Sequence, residues 1–177
     1  MHFHPDKSWT LFLDRDGVIN VRFPGDYVKR VEEFEFLPGA PEAIAKFSGI
    51  FGRVIVVTNQ QGISKGYYTH NDLAEIHAFM KRGVENAGGK IDAVYYAHQL
   101  AQENSPMRKP GTGMALQAKQ DFPEIDFTKS IMVGDSESDM EFAHGMGMKA
   151  VFVGGKDPVG VHADLVLDTL ADFAAKL

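Results

Sequence analysis

The stretch LFLDRDGVIN (residues 11–20) carries the most structural information in this chain. Three apolar residues run directly into two carboxylates, Asp14 and Asp16, and the chain then reaches Gly17. A continuous apolar run is typical of a strand that is buried on both faces of a sheet. Side chains two residues apart on an extended chain point the same way, so Asp14 and Asp16 are expected to face one cavity.

Further apolar, β-branched runs resemble the first and predict the other strands of a sheet. They are RVIVVT (53–58), IDAVYYA (91–97), SIMVGD (130–135), KAVFVG (149–154) and DLVLD (164–168). Helix-like segments lie between most of them, at 38–47, 71–88, 111–120 and 136–147. Thr69 or Asn71 can cap the second segment, in which one face is predicted to be buried. Alternating strands and helices predict an α/β fold whose parallel sheet is covered on both faces.

Length and composition limit the classes of protein that fit. The 177 residues favour one domain over residues 1–177. The net charge is −6 and the basic residues are scattered along the chain, which disfavours a nucleic-acid partner. The chain has no cysteine, which excludes disulfides and thiolate metal sites and fits a reducing compartment. No apolar run is long enough for a membrane span or a signal peptide, so we expect a soluble cytoplasmic protein with no membrane partner.

Polar side chains follow several predicted strands. Thr58, Asn59 and Gln60 come at the end of the second apolar run, and Asp135 comes at the end of the fourth. Lys109 precedes the third helix-like segment. Because ligands of an open α/β sheet bind beyond the carboxyl ends of its strands, these residues are expected to meet there.

Together these residue types point to phosphoryl transfer. Asp14, Asp16 and Asp135 form an all-oxygen cluster that suits Mg²⁺, a cation that shares its coordination with phosphates. Asp14 could then attack phosphorus, and Asp16 could protonate the leaving alkoxide and later deprotonate water. Thr58 and Lys109 could hold the oxygens of the transferring phosphoryl group. Each motif alone is compatible with ordinary turn or cap chemistry.

The order of these motifs resembles that of the haloacid dehalogenase (HAD) superfamily of phosphotransferases. The matching segments are DRDGVIN (14–20), VVTNQ (56–60), RKPG (108–111) and GDSESD (134–139). Within the superfamily, FLDRDGVIN, VTNQQGISKGYYT and RKPGTGM resemble the nearly capless branch of histidinol-phosphate and heptose-bisphosphate phosphatases. The similarity extends from about Leu11 to Asp168.

The resemblance implies a doubly wound, Rossmann-like sheet and a Mg²⁺-dependent phosphatase. Asp14 would be the nucleophile and Asp16 the general acid and base. Asp14, the backbone carbonyl of Asp16, and Asp135 would hold the metal. Thr58 and Lys109 would stabilise the phosphoryl group. The residues expected to bind the rest of the substrate are Asn59, Gln60 and Arg108, the last suited to a second phosphate or a carboxylate because its guanidinium binds such groups bidentately.

The chain departs from this branch at two places. Many members carry a zinc-binding loop of cysteines and a histidine, whereas residues 95–110 here contain only His98 and no cysteine. One imidazole does not make a structural zinc site, so no zinc is expected. The segment 21–27 is longer than in most members and is expected to overhang the substrate.

The leading substrate hypothesis is the 7-phosphate of D-glycero-D-manno-heptose 1,7-bisphosphate, a small sugar bisphosphate acted on by a monomeric enzyme. Histidinol phosphate, or another small phosphorylated metabolite, is the alternative. A phospho-acceptor receiver domain is the alternative from a different class, because it also uses an acidic pair, Thr and Lys around Mg²⁺. Its acceptor aspartate comes from a middle strand, after the acidic pair and before the Thr. Here Thr58 already ends the second predicted strand, so no strand lies between that could carry an acceptor, and the order of the residues disfavours a receiver domain.

Overall fold

The sheet has the strand order of a doubly wound α/β fold. The computed structural model describes residues 4–155 and 162–177. Within these residues the strands are β1 (Thr10–Leu13), β2 (Arg53–Asn59), β3 (Ala93–Ala97), β4 (Ser130–Gly134), β5 (Lys149–Val153) and β6 (Leu165–Leu167). They pair in parallel in the order β3-β2-β1-β4-β5-β6. The predicted α/β class is therefore confirmed.

Helices cover both faces of the sheet. In the described residues they are α1 (Ala40–Ile50), α2 (His70–Asn86), α3 (Gly113–Asp121), α4 (Glu137–Gly145) and α5 (Leu170–Lys176). One apolar cluster includes residues of α1, α2 and α5, such as Phe47, and packs against side chains of β1 that include Leu13. The other contains Met114 of α3, Phe142 of α4 and Phe12 of β1. Neighbouring residues of β1 thus pack into opposite cores, which is why Leu11, Phe12 and Leu13 are all apolar.

A reciprocal hydrogen-bonded cap fixes the start of helix α2. The Thr69 hydroxyl accepts a hydrogen bond from the Asp72 backbone N–H at 3.1 Å, and the Asp72 carboxylate accepts one from the Thr69 N–H at 2.7 Å. This reciprocal cap stabilises the helix by about 1 kcal/mol. The predicted apolar face is buried and consists of Leu73, Ile76, His77, Met80 and Val84. In the part of the chain that the structure describes, neither α2 nor any other helix is long and apolar enough to cross a membrane.

Strand β3 starts later than the apolar run predicts, at Ala93 instead of Ile91. Asp92 first binds Val54 twice, donating its N–H to the Val54 carbonyl and accepting the Val54 N–H on its carboxylate, each at 2.8 Å. Residues 21–37 and 98–110 form no named strand or α-helix; they contain short 3₁₀ turns at Val31–Glu33 and Ala101–Glu103 and an isolated bridge from Phe36 to Asn20. Residues from both segments line the cavity at the carboxyl end of the sheet, which places them beside the candidate site.

Candidate active site

The candidate site lies at the centre of the sheet, where the strand order reverses direction. β1 pairs with β2 on one side and with β4 on the other. Connections leave this point toward opposite edges, so a crevice opens at the carboxyl ends of β1 and β4. Asp14 directly follows β1 and Asp135 directly follows β4. Residues far apart in sequence therefore meet at the position where α/β proteins bind their ligands.

Lys109 joins the carboxylates of this crevice. Its ammonium group donates to Asp14 Oδ1 at 2.9 Å, to Asp139 Oδ1 at 2.6 Å and to the Val57 carbonyl at 2.8 Å. Three acceptors use all three of its hydrogens, and the residue is only 3% exposed. Burial opposes the charged form of Lys109, but the two carboxylates outweigh burial and raise its pKa above the usual value. Lys109 is therefore a fixed positive charge.

The carboxylates of Asp14, Asp135 and Asp139 form a candidate metal site. Each offers an oxygen that lies within 4.8 Å of the others. Burial and repulsion from Asp139 raise the pKa of Asp14 to about 7, although Lys109 opposes the shift. The same two causes raise the pKa of Asp135, against the opposing effects of Arg22 and Lys109. A hard cation bound by these oxygens would relieve the repulsion, so the donor set fits Mg²⁺.

Asp139 is committed to structural contacts on both of its oxygens. Oδ1 accepts from Lys109, while Oδ2 accepts from the backbone N–H groups of Asp135 and Ser136, at 3.2 and 3.1 Å, and from the Ser136 hydroxyl at 2.7 Å. These contacts cap the N-terminus of α4. The geometry favours a role for Asp139 in orienting Lys109.

Two glycines permit the close approach of these carboxylates. Gly17 has φ of +86°, and a Cβ built there would lie 2.0 Å from Asp135 Oδ2. A Cβ at Gly134 would lie 2.2 Å from the Cβ of Asp139. Any side chain at either position would displace a carboxylate from the cluster, so the sequence needs glycine at both.

The Asp16 carboxylate is held by three donors. Oδ1 accepts from Arg15 Nη2 at 2.8 Å and from Asn20 Nδ2 at 2.9 Å, and Oδ2 accepts from Gln60 Nε2 at 2.9 Å. Burial raises the pKa of Asp16, but the Arg15 charge and the hydrogen bonds from Arg15, Asn20 and Gln60 outweigh it and hold that pKa below its ordinary value. Asp16 is therefore a carboxylate in the resting protein.

Residues 58–60 all reach the cavity, but their side chains also bind the protein. Thr58 Oγ1 accepts from Gln60 Nε2 at 3.0 Å. Asn59 forms a reciprocal pair with the backbone of Lys109, donating to its carbonyl at 3.1 Å and accepting its N–H at 3.0 Å. Asn59 thus connects β2 to the segment that carries Lys109.

Basic side chains surround the mouth of the cavity, which has a volume of about 420 Å³. The basic residues that line the cavity are Arg22, Lys65, Arg108 and the buried Lys109. Arg22 pairs with Asp135 at 3.1 Å, and its side chain is 57% exposed. The Nη1 atom of Arg108 is buried and has no hydrogen-bond partner among the described residues. A guanidinium in this state is suited to an anionic group of a ligand.

The segment 21–27 reaches the same mouth. The Tyr27 hydroxyl accepts from Lys65 Nζ at 3.0 Å and from Gln61 Nε2 at 3.1 Å. Phe23 and Tyr27 both line the cavity, in keeping with the expected overhang. His98, in the segment expected to lack zinc, has its Nδ1 3.2 Å from the Ser64 hydroxyl.

Sequence reasoning missed two residues behind Asp16. Arg15 is completely buried, and its Nη1 lies 3.1 Å from Nε2 of His77. An arginine between two aspartates looks like part of a solvated turn. The signal that could have revealed it is its position directly after a buried strand, combined with His77 on the predicted buried face of α2.

His77 makes the stability of the protein depend on pH. Burial and the neighbouring Arg15 lower the pKa of His77 to about 3, whereas an unfolded histidine titrates near 6.5. The unfolded state therefore binds more protons below pH 6.5, and the folded state loses stability as the pH falls. We expect this effect to remove roughly 1.4 kcal/mol at pH 5.5.

Urea unfolding of the wild type and of His77→Gln between pH 5 and 8 measures this effect. The difference in unfolding free energy between the two should be constant above pH 7. Below pH 6.5 the unfolding free energy of the wild type should fall relative to that of His77→Gln. Parallel curves over the whole range would contradict a neutral, buried His77.

Comparisons with known proteins agree with the geometry of the site. Residues 106–173 match the family model described as HAD-hydrolase-like. The D-glycero-alpha-D-manno-heptose-1,7-bisphosphate 7-phosphatase of Mycobacterium tuberculosis is 39% identical over 172 residues, which cover 94% of this chain and 90% of the relative. The D-glycero-beta-D-manno-heptose-1,7-bisphosphate 7-phosphatase of Haemophilus influenzae is 33% identical over 176 residues, with 93% and 94% coverage.

Solved structures give the same result. The D,D-heptose 1,7-bisphosphate phosphatase of B. bronchiseptica, complexed with magnesium and phosphate, has a TM-score of 0.84 and 29% identity, with 95% of this chain and 97% of that chain covered. Fold and site thus define a phosphomonoester hydrolase. The chain belongs to the HAD superfamily, in the family of the heptose-bisphosphate phosphatases.

Proposed function

We propose that this protein hydrolyses the 7-phosphate of D-glycero-D-manno-heptose 1,7-bisphosphate. The observation that carries the proposal is the presence of two anion-binding groups in one cavity: Lys109, which is bound to Asp14 at its base, and Arg108, whose Nη1 has no hydrogen-bond partner among the described residues. A bisphosphate offers one phosphate to each. The relatives named above support the choice of sugar.

In the first step we propose that an Asp14 oxygen attacks phosphorus. The bond between phosphorus and the oxygen on C7 breaks, and its electron pair leaves with that oxygen. The Asp16 carboxyl group gives the oxygen a proton, so a sugar alcohol departs and an aspartyl-phosphate remains on Asp14. Asp16 takes up the proton for this step when the substrate's negative charge enters the cavity.

In the second step the Asp16 carboxylate removes a proton from water, and the water oxygen attacks phosphorus. The bond between phosphorus and the Asp14 oxygen breaks, which regenerates the Asp14 carboxylate and releases inorganic phosphate. Asp16 ends protonated, as it was before the first step. One residue thus serves as acid and then as base, as the reversal of proton flow between the two steps requires.

The phosphoryl oxygens are held from two sides by the protein. Lys109 supplies a buried positive charge next to Asp14, and Thr58 supplies a hydroxyl whose oxygen already accepts from Gln60. Mg²⁺ bound by Asp14, Asp135 and the Asp16 carbonyl would supply further positive charge at the phosphoryl group. We propose that Asn59 and Gln60 contribute mainly by fixing Lys109 and Asp16, since their amides are bound to these residues.

Replacing Arg108 by Ala should weaken binding of the bisphosphate more than binding of a monophosphate. Loss of a hydrogen-bonded charge costs about 1.5–3 kcal/mol, so KM for the bisphosphate should rise about 10–100-fold. KM for a simple monophosphate should change less than about twofold, and kcat should stay similar for both. Arg108→Lys is the matched control, because it keeps the charge but not the bidentate geometry. Equal effects on the two substrates would remove the second-phosphate role.

Phosphate release on a panel of substrates tests the function as a whole. The panel contains both anomers of heptose 1,7-bisphosphate, histidinol phosphate and an aryl phosphate, each with Mg²⁺ and with EDTA. We expect one heptose anomer to turn over best and EDTA to stop the reaction. Preference for histidinol phosphate would support the alternative substrate. A stable phosphoprotein without turnover would support a receiver-like signalling role.

We propose that residues 1–177 act as one domain, that the protein is a monomer, that it works in the cytoplasm and that it needs no zinc. The absence of cysteine supports the last two, because thiolate zinc sites are excluded and a reducing compartment is tolerated. Sedimentation and metal analysis of the purified protein test the monomer and zinc proposals directly.

A further inference from the structure

We propose that Tyr68 and His77 are positioning residues that orient Asp16 for proton transfer. Neither is among the residues that line the cavity, so each must act through another side chain. Tyr68 acts through Gln60, and His77 acts through Arg15. The inference rests on the proposed function, because it takes Asp16 to be the general acid and base.

The first connection fixes the Gln60 amide. Its Oε1 accepts from the Tyr68 hydroxyl at 2.5 Å, and its Nε2 donates to Asp16 Oδ2 at 2.9 Å. Gln60 is 1% exposed and Tyr68 is 5% exposed, so water offers no substitute partner. Burial raises the pKa of the Tyr68 phenol, which stays a donor. A Cβ at Gly62 would lie 2.3 Å from Tyr68 Cε1, so the glycine makes room for this ring.

The second connection fixes the Arg15 guanidinium. One of its terminal nitrogens donates to Asp16 Oδ1 at 2.8 Å, and the other lies 3.1 Å from His77 Nε2. A histidine with a strongly lowered pKa is neutral, so its Nε2 can accept the Arg15 N–H. The imidazole thereby fixes the plane of the guanidinium without competing for its charge. Among the described residues, Asp16 is the only ion-pair partner of Arg15.

The two connections restrict rotation of the Asp16 carboxylate. Among the described residues, Oδ1 accepts from Arg15 and Asn20, whereas Oδ2 accepts from Gln60 only. Oδ2 is therefore the oxygen with room to carry the transferred proton. Proton transfer needs the donor within hydrogen-bonding reach of the leaving oxygen, and small displacements of a catalytic group reduce the rate strongly.

Leaving-group dependence distinguishes positioning from general stability. Benzyl phosphate releases an alkoxide that needs a proton, whereas p-nitrophenyl phosphate releases a stable phenolate that does not. We would compare kcat/KM for both in the wild type, Tyr68→Phe, His77→Leu, His77→Gln and Asp16→Asn. His77→Gln is the conservative control, because its amide oxygen can still accept from Arg15.

Tyr68→Phe and His77→Leu should each lower kcat/KM for benzyl phosphate about tenfold and change that for p-nitrophenyl phosphate less than about twofold. His77→Gln should stay close to the wild type on both. Equal losses on the two substrates, or His77→Gln behaving like His77→Leu, would overturn the positioning role. If Asp16→Asn itself shows no selective loss on benzyl phosphate, the proposed acid role of Asp16 fails and this inference fails with it.

Discussion

Asp14→Asn is expected to abolish phosphate release, with a loss of at least about 10⁴-fold in kcat. The side chain of Asp14 lies at the base of the cavity, bound to Lys109 at 2.9 Å, where it would meet the phosphorus of a bound substrate. An amide of the same shape is a poor nucleophile and has no carboxylate with which to form an acyl phosphate.

The fold should tolerate this change. Asp14 is repelled by Asp139 and Asp135, and its pKa is raised to about 7, so a neutral isostere relieves repulsion at pH 8. We therefore expect the free energy of unfolding of Asp14→Asn to match or exceed that of the wild type. Asp6→Asn is the matched control, because Asp6 is an exposed carboxylate bound to Ser8 and lies outside the cavity.

Two measurements decide the role of Asp14. Acid quenching during turnover should trap a phosphorylated wild-type protein and no phosphorylated Asp14→Asn. A steady-state assay should show the loss in kcat, while the circular dichroism spectrum of the variant should match that of the wild type. Residual activity above about 1% in the variant, or an unchanged yield of phosphoprotein, would exclude Asp14 as the nucleophile.

Lys109→Met should reduce both activity and stability. Removing a buried charge that stabilises the transition state costs about 10²–10³ in kcat. The variant also leaves Asp139, which is fully buried, without its cationic partner. Breaking a buried ion pair from one side costs about 3–5 kcal/mol, so the free energy of unfolding should fall by roughly 3 kcal/mol.

The double variant Lys109→Met/Asp139→Asn tests the cause of that instability. It removes the positive charge together with one of its carboxylate partners, so part of the lost stability should return, while activity stays low. Lys65→Met is the control for loss of an exposed lysine and should leave the unfolding free energy within about 0.5 kcal/mol of the wild type. If Lys109→Met proves as stable as the wild type, Lys109 does not balance the buried carboxylates.

Several features of the fold could be predicted because they depend on short-range chemistry. The run TLFL at residues 10–13 forms β1, since the three consecutive apolar side chains of Leu11, Phe12 and Leu13 can be buried only on both faces of a sheet. Thr69 caps α2 because its hydroxyl lies within reach of the backbone three residues later. Strand boundaries were less predictable, as at β3, where the contact of Asp92 with Val54 decides the start.

The chemistry of the site was also visible along the chain. Asp14, Asp16, Thr58 and Asp135 all reach one cavity, as their positions after predicted strands indicated, and Lys109, which precedes α3, reaches it too. The roles of their neighbours were not visible. Asn59 and Gln60 looked like substrate ligands, yet their amides bind Lys109 and Asp16, and Arg15 is wholly buried.

Residue type and spacing along this chain thus specify the strands, the helix caps and the set of groups available for phosphoryl transfer, because these depend on neighbours a few residues apart. The order of strands and the partners of each charged group depend on contacts between distant segments. Lys109 meets Asp14 and Asp139 only after β1, β2 and β4 lie side by side. Burial then turns these contacts into a fixed charge and shifted pKa values, since low polarity and close distance strengthen electrostatic interactions.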